Sequence, residues 1–431
     1  MQSELKFIDG GVTAPKGFTA NGVLCQIKES RKTNDTALIY SEVPCNVAGV
    51  FTQNRVQAES VKLTRKNISN GKIQAAIVNS GNANCCTGSQ GAEVALRMAK
   101  AAANALNISH EDVIVCSTGV IGQQLPVEKI ENKIQELKNG LSKEGHKEAR
   151  IAIMTTDTQY KECAVQTEIA GKTVTIGTMC KGSGMIHINL GTMLSFVTTD
   201  CAISVEMLQK ALKESVKQTY NCVTIDGDTS TNDTLTILAN GKAENPEITE
   251  DNEDFRKFLF ALNKLNTIMA MKIAADGEGA SRLVECTVSG AKDEETARGL
   301  AKEVIGSDLV KAAMYGKDAN CGRILCAMGY SGFDFTPETT CVYFSSKKNA
   351  KRFFDFDSEG TVEIASNDAD QKIEVIHNGV GLSFDEDLAE KILNEEAVEI
   401  FIELKDGNAT GKAWGCDLTY DYVKINGDYR T

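Results

Sequence analysis

Residues 73–116 read IQAAIVNSGNANCCTGSQGAEVALRMAKAAANALNISHEDVIVC, and this run decides the class of fold. Ile73–Asn79 is a short, continuous apolar run of strand length. Gly91–Leu106 is rich in Ala, the strongest helix former, and Thr87 and Ser89 precede it as candidate caps. Val113–Cys116 is a second short buried strand. Strand, helix and strand therefore alternate within 44 residues, which is the pattern of a mixed α/β protein.

The same alternation continues outward. Val127–Lys138 places Ile130, Ile134 and Leu137 on one helical stripe. Ser204–Val216 opens on a capping serine with Glu206 close behind, near the capping-box pattern. Asn252–Leu265 aligns Phe255, Phe258, Leu259 and Leu262 on one face. Near Gly279 the pattern changes: Arg282–Ser289 reads as a strand and Asp293–Val304 as a helix, then strand-like segments follow at Cys341–Phe344 and Thr361–Ala365. A domain boundary is expected there, giving residues 1–283 and 284–431, with an α/β (α+β) class and mixed sheets.

Composition removes several classes of function. The 431 residues carry 46 Lys+Arg against 59 Asp+Glu, a formal net charge of −13, with 42% hydrophobic and 24% charged residues. An acidic chain of this kind lacks the basic footprint of a nucleic-acid or anionic-membrane binder. No apolar run approaches the ~18 residues that a spanning helix needs, and MQSELKFIDGGVTAPKGF has no basic region followed by an apolar core. A cytoplasmic protein is the expectation. The fourteen cysteines are scattered with no Cys-x-x-Cys pair, so they read as reduced, mostly buried thiols. The four histidines (His110, His146, His187 and His377) lie far apart in sequence, and no metal site is expected.

Three cofactor motifs fail on their own geometry. Gly171-Lys172-Thr173 lacks the first glycine of a P-loop, where Gln166 stands. Gly182-Ser183-Gly184 puts His187 where a dinucleotide fingerprint needs its third glycine. Asp226–Ile237 has Thr231 and Ile237 where a calcium loop needs Gly and Glu. What remains is a set of small, polar stretches: NSGNANCCTG (79–88), STGVIG (117–122), KGSGMIHINLGTML (181–194), DGDTSTND (226–233), DGEGASR (276–282), KDANCGR (317–323) and WGCD (414–417). Each alone is a turn, since Gly and Asn supply positive φ. Together they are loops able to bring backbone N–H groups against an anion.

The run KGSGMIHINLGTMLSFVTTD (181–200) closely resembles the self-cleavage segment of the bacterial ornithine acetyltransferase family of arginine biosynthesis, whose members are often also N-acetylglutamate synthases. GGVTAPKGF, NSGNANCCTG, STGVIG, MTTDT, DGDTSTND, GEGASR and AWGCDLTYDYVKINGDYRT extend the resemblance over nearly the whole chain. Ile188, Leu190 and Gly191 depart from the family's usual proline, methionine and alanine.

The resemblance implies an αββα sandwich with a smaller C-terminal α/β domain, and self-cleavage between Gly191 and Thr192 into fragments 1–191 and 192–431. It implies Thr192 as nucleophile, and Thr118 with the Gly119 N–H as the oxyanion hole. Thr155, Lys181, Glu278, Asn426 and Thr431 become substrate contacts beside Thr192. Taken singly, Lys181 reads as a surface lysine, Glu278 as a turn residue, Asn426 as a strand-end cap and Thr431 as a frayed terminus. The implied activity is glutamate N-acetyltransfer from N²-acetylornithine, with acetyl-CoA as a further donor in the bifunctional form, no cofactor, and an α2β2 heterotetramer.

The cleavage has an independent physical logic. A threonine hydroxyl needs a base, and an α-amino group titrates near about 7.7–8.0, against about 10.4 for lysine. Cutting before Thr192 creates that amine on the nucleophile's own residue. His187 is the local rival as base. The rival readings of the whole chain are a self-processing aminopeptidase or amidase of the same fold and an uncleaved amino-acid-binding protein. The two expected fragments differ in charge: residues 1–191 carry +4 and residues 192–431 carry −17.

Overall fold

The computed structural model describes residues 5–187, 193–354, 364–365 and 369–428. The larger sheet contains β1 (Lys6–Ile8), β2 (Phe18–Val23), β3 (Thr36–Phe51), β4 (Lys72–Asn82), β5 (Val113–Val120), β6 (Lys161–Ile169) and β7 (Lys172–Lys181). A separate antiparallel ribbon joins β8 (Ile186–His187) to β10 (Thr224–Thr229). With β9 (Leu194–Thr199) and β11 (Thr234–Ala239), the larger sheet has nine strands in the order β1-β6-β7-β9-β11-β3-β4-β5, and β2 also pairs with β3.

β3 makes the sandwich. Its first half pairs with β2 and β4 and its second half with β11, and its register with β4 slips between Tyr40 and Cys45. Pro44 sits in that slip and has no N–H to give to a ladder. The strand therefore passes from one leaf to another. Ala37, Ile39, Ala76, Val78, Ile114 and Cys116 of the first leaf share one buried cluster with Met179, Leu194, Phe196 and Leu238 of the second. Alternate residues face outward. Leu38, Ile77 and Val115 meet α2 (Gly88–Leu106) and α3 (Val127–Asn139), after α1 (Glu59–Asn67) in the chain. Val50, Ile176, Val197 and Ile237 share a core with α5 (Val205–Gln218) and α6 (Glu253–Ala275), which follow α4 (His146–Ala152). Helix, sheet, sheet and helix thus lie in the expected αββα order.

A six-stranded sheet follows: β12 (Leu283–Ala291), β13 (Cys341–Ser346), β14 (Gln371–His377), β15 (Val380–Gly381), β16 (Ala397–Glu403) and β17 (Ala409–Cys416), in the order β15-β14-β13-β16-β12-β17. Helices α7 (Glu294–Gly306), α8 (Asp308–Gly316), α9 (Cys321–Tyr330) and α10 (Glu386–Leu393) accompany it, and α11 (Tyr420–Gly427) comes last. α6 packs on β6 and β7 on one side and on β12 and β17 on the other.

Several expected elements change in extent. β5 runs on from Cys116 to Val120, carrying Thr118 and Gly119 within a strand instead of a loop. α6 extends ten residues past Leu265, because it is buried from both sides and Ile268–Ala275 is apolar except for Lys272, so its amphipathic stripe disappears without the helix ending. Ser204 and Asp293 act as N-caps, accepting from Met207 N and Thr296 N. Thr87 precedes α2 without capping it; its hydroxyl donates to Asn84 Oδ1 at 2.9 Å. The expected strand at Thr361–Ala365 lies at 361–363 outside the described residues.

All fourteen cysteines are free thiols and ten are buried. The sequence separation of histidine from cysteine does not hold in space: pairing of β13 with β14 puts His377 Nδ1 3.8 Å from Cys341 Sγ and 2.8 Å from Glu374 Oε1. No described helix is long and apolar enough to cross a membrane.

Candidate active site

β5 ends the sheet as an edge strand, and its last turn supplies Thr118 and Gly119. Its parallel register with β4 sets Gly119 opposite Gly81. Gly119 has φ +134°, and a Cβ there would lie 2.3 Å from the Gly81 carbonyl carbon, so only glycine fits. Thr118 Oγ1 lies 3.5 Å from Lys181 Nζ at the end of β7. Lys181 is buried at 8% exposure, not the solvated lysine that its neighbours in sequence suggested.

Lys181 pairs across the ladder with Leu194, the first residue of β9. The Met193 carbonyl accepts from Thr234 N at 3.0 Å. Gly191 and Thr192 lie just before this point, outside the described residues, as does Thr431.

Behind Lys181 sits a buried ion cluster. Lys161 Nζ donates to Asp157 Oδ1 at 2.7 Å and to Asp276 Oδ2 at 2.5 Å, with all three side chains almost wholly inaccessible. Burial opposes ionisation of Asp157, but the Lys161 and Lys181 charges outweigh it and hold the carboxyl well below the usual range. Burial likewise works against the Lys161 ammonium, and the two aspartates prevail. Asp157 ties two segments together: Oδ1 accepts from Gly182 N at 2.7 Å and Oδ2 from Thr155 N at 3.1 Å. Asp276 accepts from the Thr158 and Gln159 backbone N–H groups, and its own carbonyl accepts from Ser183 Oγ at 2.6 Å. MTTDT, KGSG and DGEG, remote in sequence, thus meet at one charge cluster.

The opposite wall is Glu278. Its N–H donates to the Ser183 carbonyl at 2.8 Å, and its Oε2 accepts from Asn426 Nδ2 at 2.7 Å. A Cβ on Gly184 would lie 2.2 Å from that oxygen, so glycine is what lets the carboxylate approach. Glu278 is buried rather than a solvated turn residue, and Asn426 lies in α11, not at a strand end. α11 buries none of its residues. It is tethered by Asn426, by Thr419 Oγ1 donating to the Gly279 carbonyl at 2.7 Å, and by the Tyr422 hydroxyl donating to Asp226 Oδ2 at 3.3 Å. Asp226 in turn accepts from the N–H groups of Met185 (2.6 Å) and Ile186 (2.8 Å).

Thr118, Gly119, Thr155, Lys181, Glu278 and Asn426 line one cavity of about 360 Å³. Thr156, Ser230, Thr231 and Asn232 line it too. His187 does not. It pairs in the β8–β10 ribbon, 3.1 Å from Thr224 Oγ1, and burial, with the Lys302 charge second, pushes it down to about 4. That imidazole stays neutral at physiological pH but is turned to a structural partner.

Sequence reasoning did not single out Asp157, Asp276 or Asn232, and it weighed Asp226 only as the first position of a calcium loop that fails. They stand inside the polar stretches already recognised, and an aspartate within a loop gives no sign that it will be buried against a lysine. Chemically, the cavity presents an ammonium, a carboxylate, and a hydroxyl beside a glycine backbone. That set suits an amino acid carrying charges of both signs.

Known proteins resemble this chain over nearly its whole length. The profile of the ArgJ family matches residues 19–431. The arginine biosynthesis bifunctional protein ArgJ of Caldanaerobacter subterraneus subsp. tengcongensis is 47% identical over 427 residues, spanning 99% of this chain and 100% of its own. Its namesake in Thermotoga neapolitana is 47% identical over 421 residues, 97% of this chain and 99% of its own. The crystal structure of the arginine biosynthesis bifunctional protein argJ from Bacillus halodurans is 42% identical with a TM-score of 0.47, over 55% of this chain and 99% of that one. The chain therefore belongs to the ArgJ family, the acetyltransferases of arginine biosynthesis.

Proposed function

We propose that the chain cleaves itself between Gly191 and Thr192 and then transfers acetyl groups by a ping-pong route through acetyl-Thr192. N²-acetylornithine acylates the Thr192 hydroxyl, with the new α-amine of Thr192 as base, and leaves as ornithine. Glutamate then takes the acetyl group and leaves as N-acetylglutamate. An amide is broken and an amide is formed, so the exchange is near balance and calls for no nucleotide, metal or cofactor. Acetyl-CoA acylates the same hydroxyl when the enzyme acts as a synthase.

Thr118 and the Gly119 N–H would hold the oxyanion of each tetrahedral intermediate, where loss of one donor typically costs about 10²–10³ in rate. Lys181 and Glu278 would receive charges of opposite sign on ornithine and glutamate, with Thr155 and Asn426 as polar contacts and the Thr431 carboxylate returning to the cavity. Residues 1–283 would form the catalytic sandwich and 284–431 a smaller unit whose tail completes the site. The fragments would remain together as a cytoplasmic α2β2 heterotetramer.

The observation that carries this reading is convergence. Six residues from five separate segments line one cavity, at the point where the chain enters β9 two residues after Thr192. Mass spectrometry of the purified protein is expected to find one chain ending at Gly191 and another beginning at Thr192. Thr192→Ala is expected to stay in one piece and transfer no acetyl group; a Thr192→Ala protein that still splits and still transfers would sink the reading.

A further inference from the structure

β5 is an edge strand, so every second residue sends its backbone N–H and C=O away from the sheet. Side chains meet these groups in turn. Asn67 Nδ2 donates to the Val113 carbonyl at 2.8 Å. Thr64 Oγ1 donates to the Val115 carbonyl at 2.7 Å and accepts from Val115 N at 2.8 Å. Asn232 Nδ2 donates to the Ser117 carbonyl at 2.8 Å. The next residue in this series is Gly119.

Asn232 does more than cover one carbonyl. The same Nδ2 donates to the Ala83 carbonyl at 2.6 Å, so one amide bridges the segment after β4 to the end of β5. Thr231 Oγ1 donates to Asn232 Oδ1 at 2.6 Å, which fixes the amide with its NH2 towards the two carbonyls. Asn232 is buried, yet it lines the cavity. The backbone that it grips carries the Thr118 hydroxyl and the Gly119 N–H one and two residues later.

We infer that Asn232 is a positioning residue for acyl transfer: by bridging the Ala83 and Ser117 carbonyls it sets the aim of the Thr118–Gly119 oxyanion donors. The inference rests on the reading that these two residues stabilise the oxyanion. A donor about 1 Å out of place costs on the order of 10²-fold in rate, and the loss falls on the transition state, because the substrate's ground state does not depend on that aim.

Asn67 provides a matched control. It is as buried as Asn232 and bridges two carbonyls in the same way, those of His110 (3.1 Å) and Val113 (2.8 Å), at the far end of the same strand edge. Asn→Asp at either place keeps the shape and removes the donors. In the full-length protein, acetyl transfer from N²-acetylornithine to glutamate is measured together with thermal midpoints. Asn232→Asp is expected to lower kcat about 10²-fold with KM for acetylornithine within about twofold. Asn67→Asp is expected to lower the midpoint at least as far while kcat stays within about twofold.

A folded Asn232→Asp protein with unchanged kcat overturns the inference, as does an equal fall in kcat in Asn67→Asp. Where Asn232→Asp does not fold, Thr231→Val frees the amide to turn; a kcat loss of about threefold or more at constant KM supports the inference and an unchanged kcat overturns it. A wild-type protein without acetyl transfer would instead remove the reading beneath it.

Discussion

The two walls of the cavity are built in opposite ways. One is backed by the Asp157–Lys161–Asp276 cluster, shut away from water behind Lys181 and bonded to the backbone at Thr155, Thr158 and Gly182. The other is Glu278 held by Asn426, on a helix with no buried residue. A buried charge cluster is costly to break, because losing one partner strands the others in a poorly polarisable interior. A half-exposed amide on an unburied helix can let go and return at little cost. The difference separates two tasks. The first wall keeps Thr155, Gly182 and Lys181 in register, and the second can yield to side chains of different length and charge.

The contrast can be broken experimentally, with the largest effect on the buried side. Lys161→Met leaves two aspartates buried without their cation and is expected to cost about 3–5 kcal/mol of stability in chemical denaturation. A loss below about 1 kcal/mol, the range of exposed pairs, would show that this wall is not the rigid one. Next comes Asn426→Ala. Under the proposed reading Asn426 is itself a polar contact for substrate, and a hydrogen bond to a charged substrate group contributes about 1.5–3 kcal/mol, so KM is expected to rise roughly tenfold or more. Stability is expected to change by no more than about 0.5 kcal/mol, because α11 buries nothing. An Asn426→Ala protein that unfolds early would contradict the loose wall.

The smallest effect concerns His187, outside both walls. Its pKa lies at about 4 in the folded protein, pushed down by burial and by the Lys302 charge, against 6.5 in the unfolded chain. Between those values the unfolded chain binds a proton that the folded one refuses, so stability falls as the pH drops from 6.5 towards 4. His187→Gln is expected to flatten that part of the urea-midpoint profile and to leave the neutral pH–rate profile unchanged. A vanished basic or acidic limb in the rate would return His187 to the role of base.

Much of this was legible in residues. Ile73–Asn79, Gly91–Leu106 and Val113–Cys116 gave α/β alternation from apolar runs and alanine content alone, and all three elements are present with modest extensions. Helix α6 was cut short because periodicity marks a helix only while one face is polar and meets water, and its second half is apolar and mostly buried, Lys272 apart. Thr118, Gly119, Thr155, Lys181, Glu278 and Asn426 were named through family resemblance, and they line one cavity. Asp157, Asp276 and Asn232 were passed over. Asp276 and Asn232 act on partners 115 to 149 residues away in sequence, which no local spacing announces, and Asp157, four residues from Lys161, shows its burial only in the folded protein.

Residue chemistry by itself set the class of fold, and the resemblance of the loop motifs to a known family named that family and the Gly191–Thr192 junction, at which cleavage would create its own base. These follow from local pattern: apolar runs, small residues and the presence of particular functional groups. Which charges are buried together, which glycines admit a neighbour's carboxylate, and which asparagine grips an edge strand were decided only by tertiary structure. Burial and close approach are properties of pairs distant in sequence, and they exist only once β3 has bent and the two leaves have closed over their shared core.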